Sequence, residues 1–318
     1  MHVAVTGAAG MIGRKLVARL EGDGRLGDAE LERLTLVDVV APEPPSAGEA
    51  WAGDLADPTA AQRLVDGRPD VIVHLAAVVS GEAEADFAKG YRVNLDGTRA
   101  LLEAVRATDG YRPRLVFASS IAVFGAPLPN PIPEDFATLP LTSYGTQKAI
   151  DELLLADYTR RGFVDGVGIR LPTICIRPGA PNKAASGFFS NILREPLVGR
   201  EAVLPVPETV RHWHASPRSA VGFCLRAATI DTELIGPRRT LSMPGLSATV
   251  GEQIEALRRA GGEAAVRLIR REPDPQIMQM VGGWAAALDA RRAERLGFVA
   301  ETSFDEIIRV HLEDELHR

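Results

Sequence analysis

The sequence predicts an α/β protein, a doubly wound parallel sheet followed by a smaller, loop-rich C-terminal lobe, and three observations lead there. Short β-branched runs alternate with helically spaced segments through the first half, the first run ends in a glycine-rich turn, and prolines crowd the chain after Leu171. Strand-helix alternation favours right-handed crossovers and a sheet covered on both faces.

The clearest strands are at 2–6, 34–39, 70–76 and 114–119. Each is apolar at successive positions, as strands buried on both faces must be. Between them, 11–21, 59–65 and the long stretch 84–107 carry helical spacing. Beyond Leu171, Pro172, Pro178, Pro181, Pro196, Pro205, Pro207 and Pro217 remove backbone donors and stop helices. Two further helices are expected, at 250–260 and 304–316. The division is therefore 1–171 for the first domain, with some later segments returning to it, and 172–318 mainly for a substrate-binding lobe.

The 318 residues carry 36 Lys and Arg against 42 Asp and Glu, a formal net charge of −6, which argues against nucleic acid as the main partner. With 46% hydrophobic and 25% charged residues the chain excludes dominant disorder, collagen or coiled coil. Cys175 and Cys224 are the only cysteines, which suits a reducing compartment and leaves no disulfide framework. Charges interrupt every apolar run, so no membrane span is expected, and the first residues lack the pattern of an export signal. A cytoplasmic protein is the expectation.

After the first strand the chain reads Gly7-Ala8-Ala9-Gly10-Met11-Ile12-Gly13. Glycines so placed let the backbone turn tightly, approach a pyrophosphate and seat the next helix, whose N-terminus favours an anion. This is the opening of a Rossmann-type fold. Asp38, at the end of the second strand, would accept hydrogen bonds from an adenosine ribose and repel a 2′-phosphate; Val39 and Val40 follow it rather than an arginine. NAD is thus expected over NADP.

Tyr144 and Lys148 lie four residues apart in a helical run and share one face. An ammonium beside a phenol favours the phenolate, the form needed for general-base work. The strand at 114–119 ends in Ser119-Ser120, which leaves hydroxyls at the carboxyl edge where ligands of open α/β sheets bind. Ser120, Tyr144 and Lys148 are the candidate catalytic residues.

Taken together, these pieces resemble the extended short-chain dehydrogenase/reductases, the NAD-dependent epimerase/dehydratase family. The matching stretches are Gly7 to Gly13, Gly53-Asp54-Leu55, His74-Leu75-Ala76-Ala77, Val93-Asn94 with Gly97-Thr98, Ser119 to Gly125, and Tyr144 to Lys148. The resemblance implies that Gly7, Gly10, Met11, Ile12, Gly13 and Asp38 hold the cofactor. It implies that Asp54 and Leu55 border the adenine, that Leu75, Ala76 and Ala77 line the path to the nicotinamide, and that Asn94 and Leu171 complete the cofactor site. Tyr144 would be the proton acceptor, Lys148 would bind the nicotinamide ribose, and Ser120 would position the substrate oxygen. It further implies a homodimer packed through the helix after Asn94 and the helix carrying Tyr144.

Where dehydratases of this class carry an acidic pair after the catalytic hydroxyl residue, this chain has Ile121 and Ala122, so dehydration is not expected. The blocks Arg170 to Gly179, Pro181 to Ser190, Arg194 to Leu197 and Ala215 to Arg218 resemble one branch, the D-erythronate dehydrogenases. That branch implies oxidation of the 2-hydroxyl of a small carboxylate sugar acid with NAD+. Arg177 and Lys183 would supply cations for the carboxylate, and Ser80 and Thr173 hydroxyls at the rim. The rivals are a sugar-nucleotide 4-epimerase using the same residues and a non-catalytic NAD-sensing regulator. His212 and His214 lack a third ligand at a metal spacing, so no metal is expected. His74 reads as a satisfied core residue, and Trp51, Trp213 and Trp284 as packing.

Overall fold

A computed structural model describes residues 1–179 and 186–317. In chain order its main elements are β1 (His2–Thr6), α1 (Met11–Asp23), β2 (Arg33–Asp38), β3 (Gly48–Ala52), α2 (Pro58–Asp66), β4 (Val71–His74), α3 (Gly97–Ala107), β5 (Arg114–Ser120), α4 (Ser143–Arg160), β6 (Asp165–Leu171) and β7 (Thr173–Ile174). They continue with α5 (Gly187–Leu197), β8 (Arg211–Ala215), α6 (Pro217–Thr229), β9 (Thr240–Ser242), β10 (Leu246–Thr249), α7 (Val250–Val266) and α8 (Phe304–Glu315).

Seven parallel strands form the main sheet in the order β3-β2-β1-β4-β5-β6-β9. Alternate residues serve opposite faces. Val3 and Val5 of β1, Val71 and Val73 of β4 and Val116 of β5 pack with Leu16, Leu20, Phe223 and Cys224 of α1 and α6. Ala4, Ile72, Leu115 and Phe117 turn the other way, onto Leu64, Leu101, Val105 and Leu155 of α2, α3 and α4. Both faces are therefore dry, which is why these strands read as continuous apolar runs. The chain runs from β1 outward to β2 and β3 and then returns to β4 on the other side of β1, which makes a switch point between β1 and β4 at the carboxyl edge.

A second core gathers Phe189, Ile192, Leu193, Ile254, Leu257, Ile307 and Ile308 of α5, α7 and α8. β8 pairs with β10 antiparallel and with β7 parallel, so a three-stranded sheet begins just beyond the end of β6. Later segments do return to the first sheet: β9 adds to its edge, and α6 covers one face.

The stretch 84–107 is not one helix. Asp86, at φ −127° and ψ 87°, breaks it, and its side chain caps the next turn by accepting from Lys89 N at 3.0 Å. A wide π-turn over Tyr91–Asp96 then leads into α3. Its extra residue turns Asn94 inward. α7 runs past the expected 260 to Val266, across a break at Gly262, where φ is 73°. Among the described residues no helix is long and apolar enough to cross a membrane.

Candidate active site

The strand ends bring the first pieces together. At the end of β1, Gly7 adopts φ 71°, and a Cβ there would lie 2.7 Å from Ala76 N; one on Gly13 would overlap the Gly7 carbonyl. Helix α1 starts at Gly10 with no side-chain cap, so its first N–H groups are left for a ligand. Asp38, at the neighbouring strand end, accepts from Ala9 N at 3.0 Å and remains half-exposed. This cradle fits a dinucleotide pyrophosphate and ribose. Met11 and Ile12 are half-buried behind it, Leu55 is buried, and Asp54 is ion-paired with Arg92. Leu75, Ala76 and Ala77 run along the edge beyond β4, increasingly exposed toward Ala77, and Leu171 ends β6 half-buried. Asn94 is fully buried; its Oδ1 accepts from Val78 N at 2.8 Å and its Nδ2 donates to Gln147 Oε1 at 2.7 Å. It ties the loop after β4 to α4.

Ser120 closes β5, its Oγ accepting from Ala122 N at 3.1 Å. Helix α4 begins opposite, capped by Thr142, whose Oγ1 accepts from Gly145 N at 3.1 Å, and by Glu84, which accepts from Ser143 N at 3.0 Å. Gly145 makes the approach possible. A Cβ there would run into the Ala122 carbonyl and come within 2.9 Å of Pro140. With that clearance the Tyr144 side chain comes near Ser120, whose hydroxyl favours its ionised form.

Burial pushes the Tyr144 hydroxyl up to about 12, while Ser120 and the Arg177 guanidinium pull the other way and Asp151 adds to the rise. Lys148 is 2% exposed, its Nζ 4.6 Å from the Phe117 ring centroid and 5.9 Å from that of Tyr144. Burial lowers its affinity for the proton, and Asp151 and Glu152 raise it. The Arg177 guanidinium is a second cation that favours the Tyr144 phenolate.

Arg177 leaves β7 on the loop past the sheet edge. Its Nε donates to Ile174 O at 3.0 Å and its Nη2 to Ser186 Oγ at 2.9 Å, which fixes the plane of the guanidinium. Among the described residues no carboxylate pairs with it. Lys183 lies outside the described residues. Thr173 Oγ1 is 2.6 Å from His212 Nε2, and Ser80 opens the short helix Ser80–Ala85 half-buried.

His212 and His214 are buried and held neutral, the first pushed down to about 4 and the second well below its usual value by loss of solvent. His214 Nε2 is 3.1 Å from Gln253 Nε2. Among the described residues no group of three or more His, Cys, Asp or Glu side chains could hold a metal ion. His74 is a satisfied core residue, bonded to Thr6 Oγ1 at 2.7 Å and Thr98 Oγ1 at 3.1 Å. The sequence motifs contain Gly145, Ser119 and Arg170 but give no sign that Gly145 provides clearance or that Ser119 and Arg170 are buried on Glu152, and Asp151 and Glu152 lie outside them. The charged pair Asp151-Glu152, one turn beyond Lys148, was the available signal.

The sequence profile described as the NAD dependent epimerase/dehydratase family matches residues 3–214. A D-erythronate dehydrogenase of Cupriavidus necator is 48% identical over 99% of this chain and 98% of its own. One from Haemophilus influenzae is 40% identical over 99% of this chain and 100% of its own. Among solved structures, the nucleoside-diphosphate-sugar epimerase from Agrobacterium tumefaciens superposes with a TM-score of 0.97 at 69% identity, covering 100% of this chain and 95% of that one.

Proposed function

Since the chain belongs to the NAD dependent epimerase/dehydratase family, we propose that it is an NAD-dependent dehydrogenase. Its reaction is oxidation of the 2-hydroxyl of a small sugar acid, D-erythronate to 2-dehydro-D-erythronate. The two curated relatives that match along their full length carry that name. The observation that carries the substrate class is Arg177: a fixed guanidinium, without a carboxylate partner among the described residues, close enough to Tyr144 to favour its ionised form. In a 2-hydroxy acid the carboxylate is attached to the very carbon that is oxidised, so an anion site beside the reacting phenol suits it. In a sugar nucleotide the diphosphate hangs across the ring from the 4-hydroxyl.

In this reading Tyr144 Oη takes the hydroxyl proton of the substrate while Ser120 Oγ holds the same oxygen in line. Arg177 binds the carboxylate, and Thr173, Ser80 and Lys183 complete the rim. Lys148 binds the nicotinamide ribose. Gly7, Gly10, Met11, Ile12 and Gly13 receive the pyrophosphate, Asp38 the adenosine ribose, Asp54 and Leu55 the adenine, and Leu75, Ala76, Ala77, Asn94 and Leu171 the remainder. Bound NAD+ supplies the acceptor for the hydride that leaves the same carbon. Residues 172–318 act mainly as the substrate lobe, and the protein works as a cytoplasmic homodimer in sugar-acid catabolism. Leu153 of α4, 70% exposed, supports α4 as part of the twofold contact.

Tyr144→Phe is expected to abolish turnover while NAD still binds; unchanged turnover removes the assigned base. The name of the Agrobacterium structure favours a second reading, a sugar-nucleotide 4-epimerase with the same residues. The two separate on one measurement. With C4 to C6 sugar acids and NAD+ the dehydrogenase accumulates NADH, whereas the epimerase returns its hydride and interconverts sugar nucleotides with none accumulating.

A further inference from the structure

Lys148 has a neighbour on its buried side that the proposed chemistry leaves unused. One turn along α4, Asp151 is 0% exposed and Glu152 6% exposed. Glu152 is already engaged, accepting from Arg170 Nη2 at 2.7 Å, from Arg170 Nε at 2.9 Å and from Ser119 Oγ at 2.6 Å. Asp151 is not. One of its oxygens only lies 3.4 Å from the Thr98 hydroxyl oxygen, whose proton goes to Asn94 O, and the other has no partner. A carboxylate so placed is costly to keep ionised unless an opposite charge stands near.

The ionisable groups around it are few. Tyr144, Lys148 and Glu152 share its helix, His74 faces it from β4 through Thr98, and Arg170 reaches from β6 only as far as Glu152. His74 is neutral, pushed down to about 3 by burial and by Lys148. That leaves the Lys148 ammonium. The Thr98 hydroxyl beside Asp151 donates to Asn94 O at 2.6 Å and lies 3.1 Å from His74 Nε2, and His74 Nδ1 continues to Thr6 Oγ1 at 2.7 Å. A run of buried polar contacts thus leads from the last residue before the glycine turn to Asp151, one turn along α4 from Lys148.

We propose that Asp151 is a positioning residue for Lys148: a buried counter-charge, anchored through Thr98 and His74 to the end of β1, that keeps the Lys148 ammonium charged beside Tyr144. Burial drives Lys148 toward the free amine, and Asp151 is the first of the charges opposing it; burial likewise raises Asp151, and Lys148 is the first to oppose that. The inference rests on Tyr144 and Lys148 being the reacting pair, so its test reads the ionisation of Lys148 apart from turnover.

The chain has four lysines, Lys15, Lys89, Lys148 and Lys183. In full-length protein labelled with 13C at lysine Cε, the Lys148 signal is assigned by its loss in Lys148→Arg and titrated with pH. Asp151→Asn is expected to lower its midpoint by at least about one pH unit, a tenfold loss of proton affinity, with Asp151→Glu restoring it. The alkaline limb of kcat is expected to move the same way. Thr98→Val, which frees the carboxylate but keeps its charge, is expected to give a smaller shift of the same sign and serves if Asp151→Asn does not fold. A Lys148 midpoint that stays at its wild-type value in the folded variants overturns the proposal, whatever happens to turnover. A shifted midpoint with an unshifted rate profile instead upholds the charge relation and overturns the assignment of Lys148 to the reacting pair.

Discussion

Arg177 concentrates the chemistry of the site in one side chain, because the same cation that would hold the carboxylate also lowers the energy of the Tyr144 phenolate. Replacing it with Met removes a charge-assisted hydrogen bond, of order 1.5–3 kcal/mol, so kcat/KM for the sugar acid is expected to fall roughly 10- to 150-fold. The loss should fall mainly on KM. The rising limb of kcat with pH should also move to higher pH, since Tyr144 loses a group that favours its ionised form. Lys at this position cannot reproduce both the Ile174 and the Ser186 bonds, so Arg177→Lys is expected to recover only part of the activity. Initial rates over pH 6 to 10 measure all three; a Met variant with wild-type KM would sink the carboxylate role. Arg177 could be picked from the sequence as a loop cation. Its reach to Tyr144 could not, because that depends on the path the chain takes after β7.

At the scale of elements, α4 shows why parts of the site were legible and parts were not. The spacing of Tyr144 and Lys148 announces a shared helical face. The inward face, however, carries Gly145, Gln147, Lys148, Asp151, Glu152 and Thr159 as well as Ala149 and Leu155, so apolar periodicity fades where the helix serves the site. The break at Asp86 and the π-turn that aims Asn94 were hidden by the same ambiguity, since all of 84–107 keeps helical spacing. Three strands of the main sheet also escaped. β3 lies on an edge with only Trp51 buried, β6 carries Gly166 and Gly168 where the Thr159 and Thr240 side chains crowd in, and β9 spans only Thr240–Ser242. Gly145 decides how closely α4 meets the turn after Ser120. Gly145→Ala should force the two apart by several tenths of an ångström or more, costing about 1–3 kcal/mol of stability and on the order of 100-fold in kcat. A thermal melt and kcat measured together check this; wild-type kcat would mean that Tyr144 and Ser120 need not meet so closely.

For the whole molecule, the alternation that predicted a doubly wound sheet holds because both faces of that sheet are dry, and it says little about the second core, whose helices come from segments scattered between residues 187 and 315. Histidines buried without charge run through both parts: His74 behind the cofactor cradle, and His212 and His214 beneath the substrate rim. Burial pushes His74 down to about 3 and His212 to about 4, and His214 well below its usual value. The unfolded chain takes up a proton at each of them near pH 6.5, whereas the folded chain does not. Below pH 6.5 the unfolded state therefore binds more protons, and stability falls as pH drops toward the folded-state values. Going from pH 7 to pH 5, His74 and His212 are each worth about 2 kcal/mol on this account, a large share of the 5–15 kcal/mol typical of a domain. Melting temperature is thus expected to hold steady from pH 8 to 7 and to fall steeply between pH 6.5 and 5. Replacing His212 with Asn should flatten part of that fall, since a neutral amide has no proton to gain. A melting temperature that stays level down to pH 5 would mean these rings are solvated enough to protonate in place.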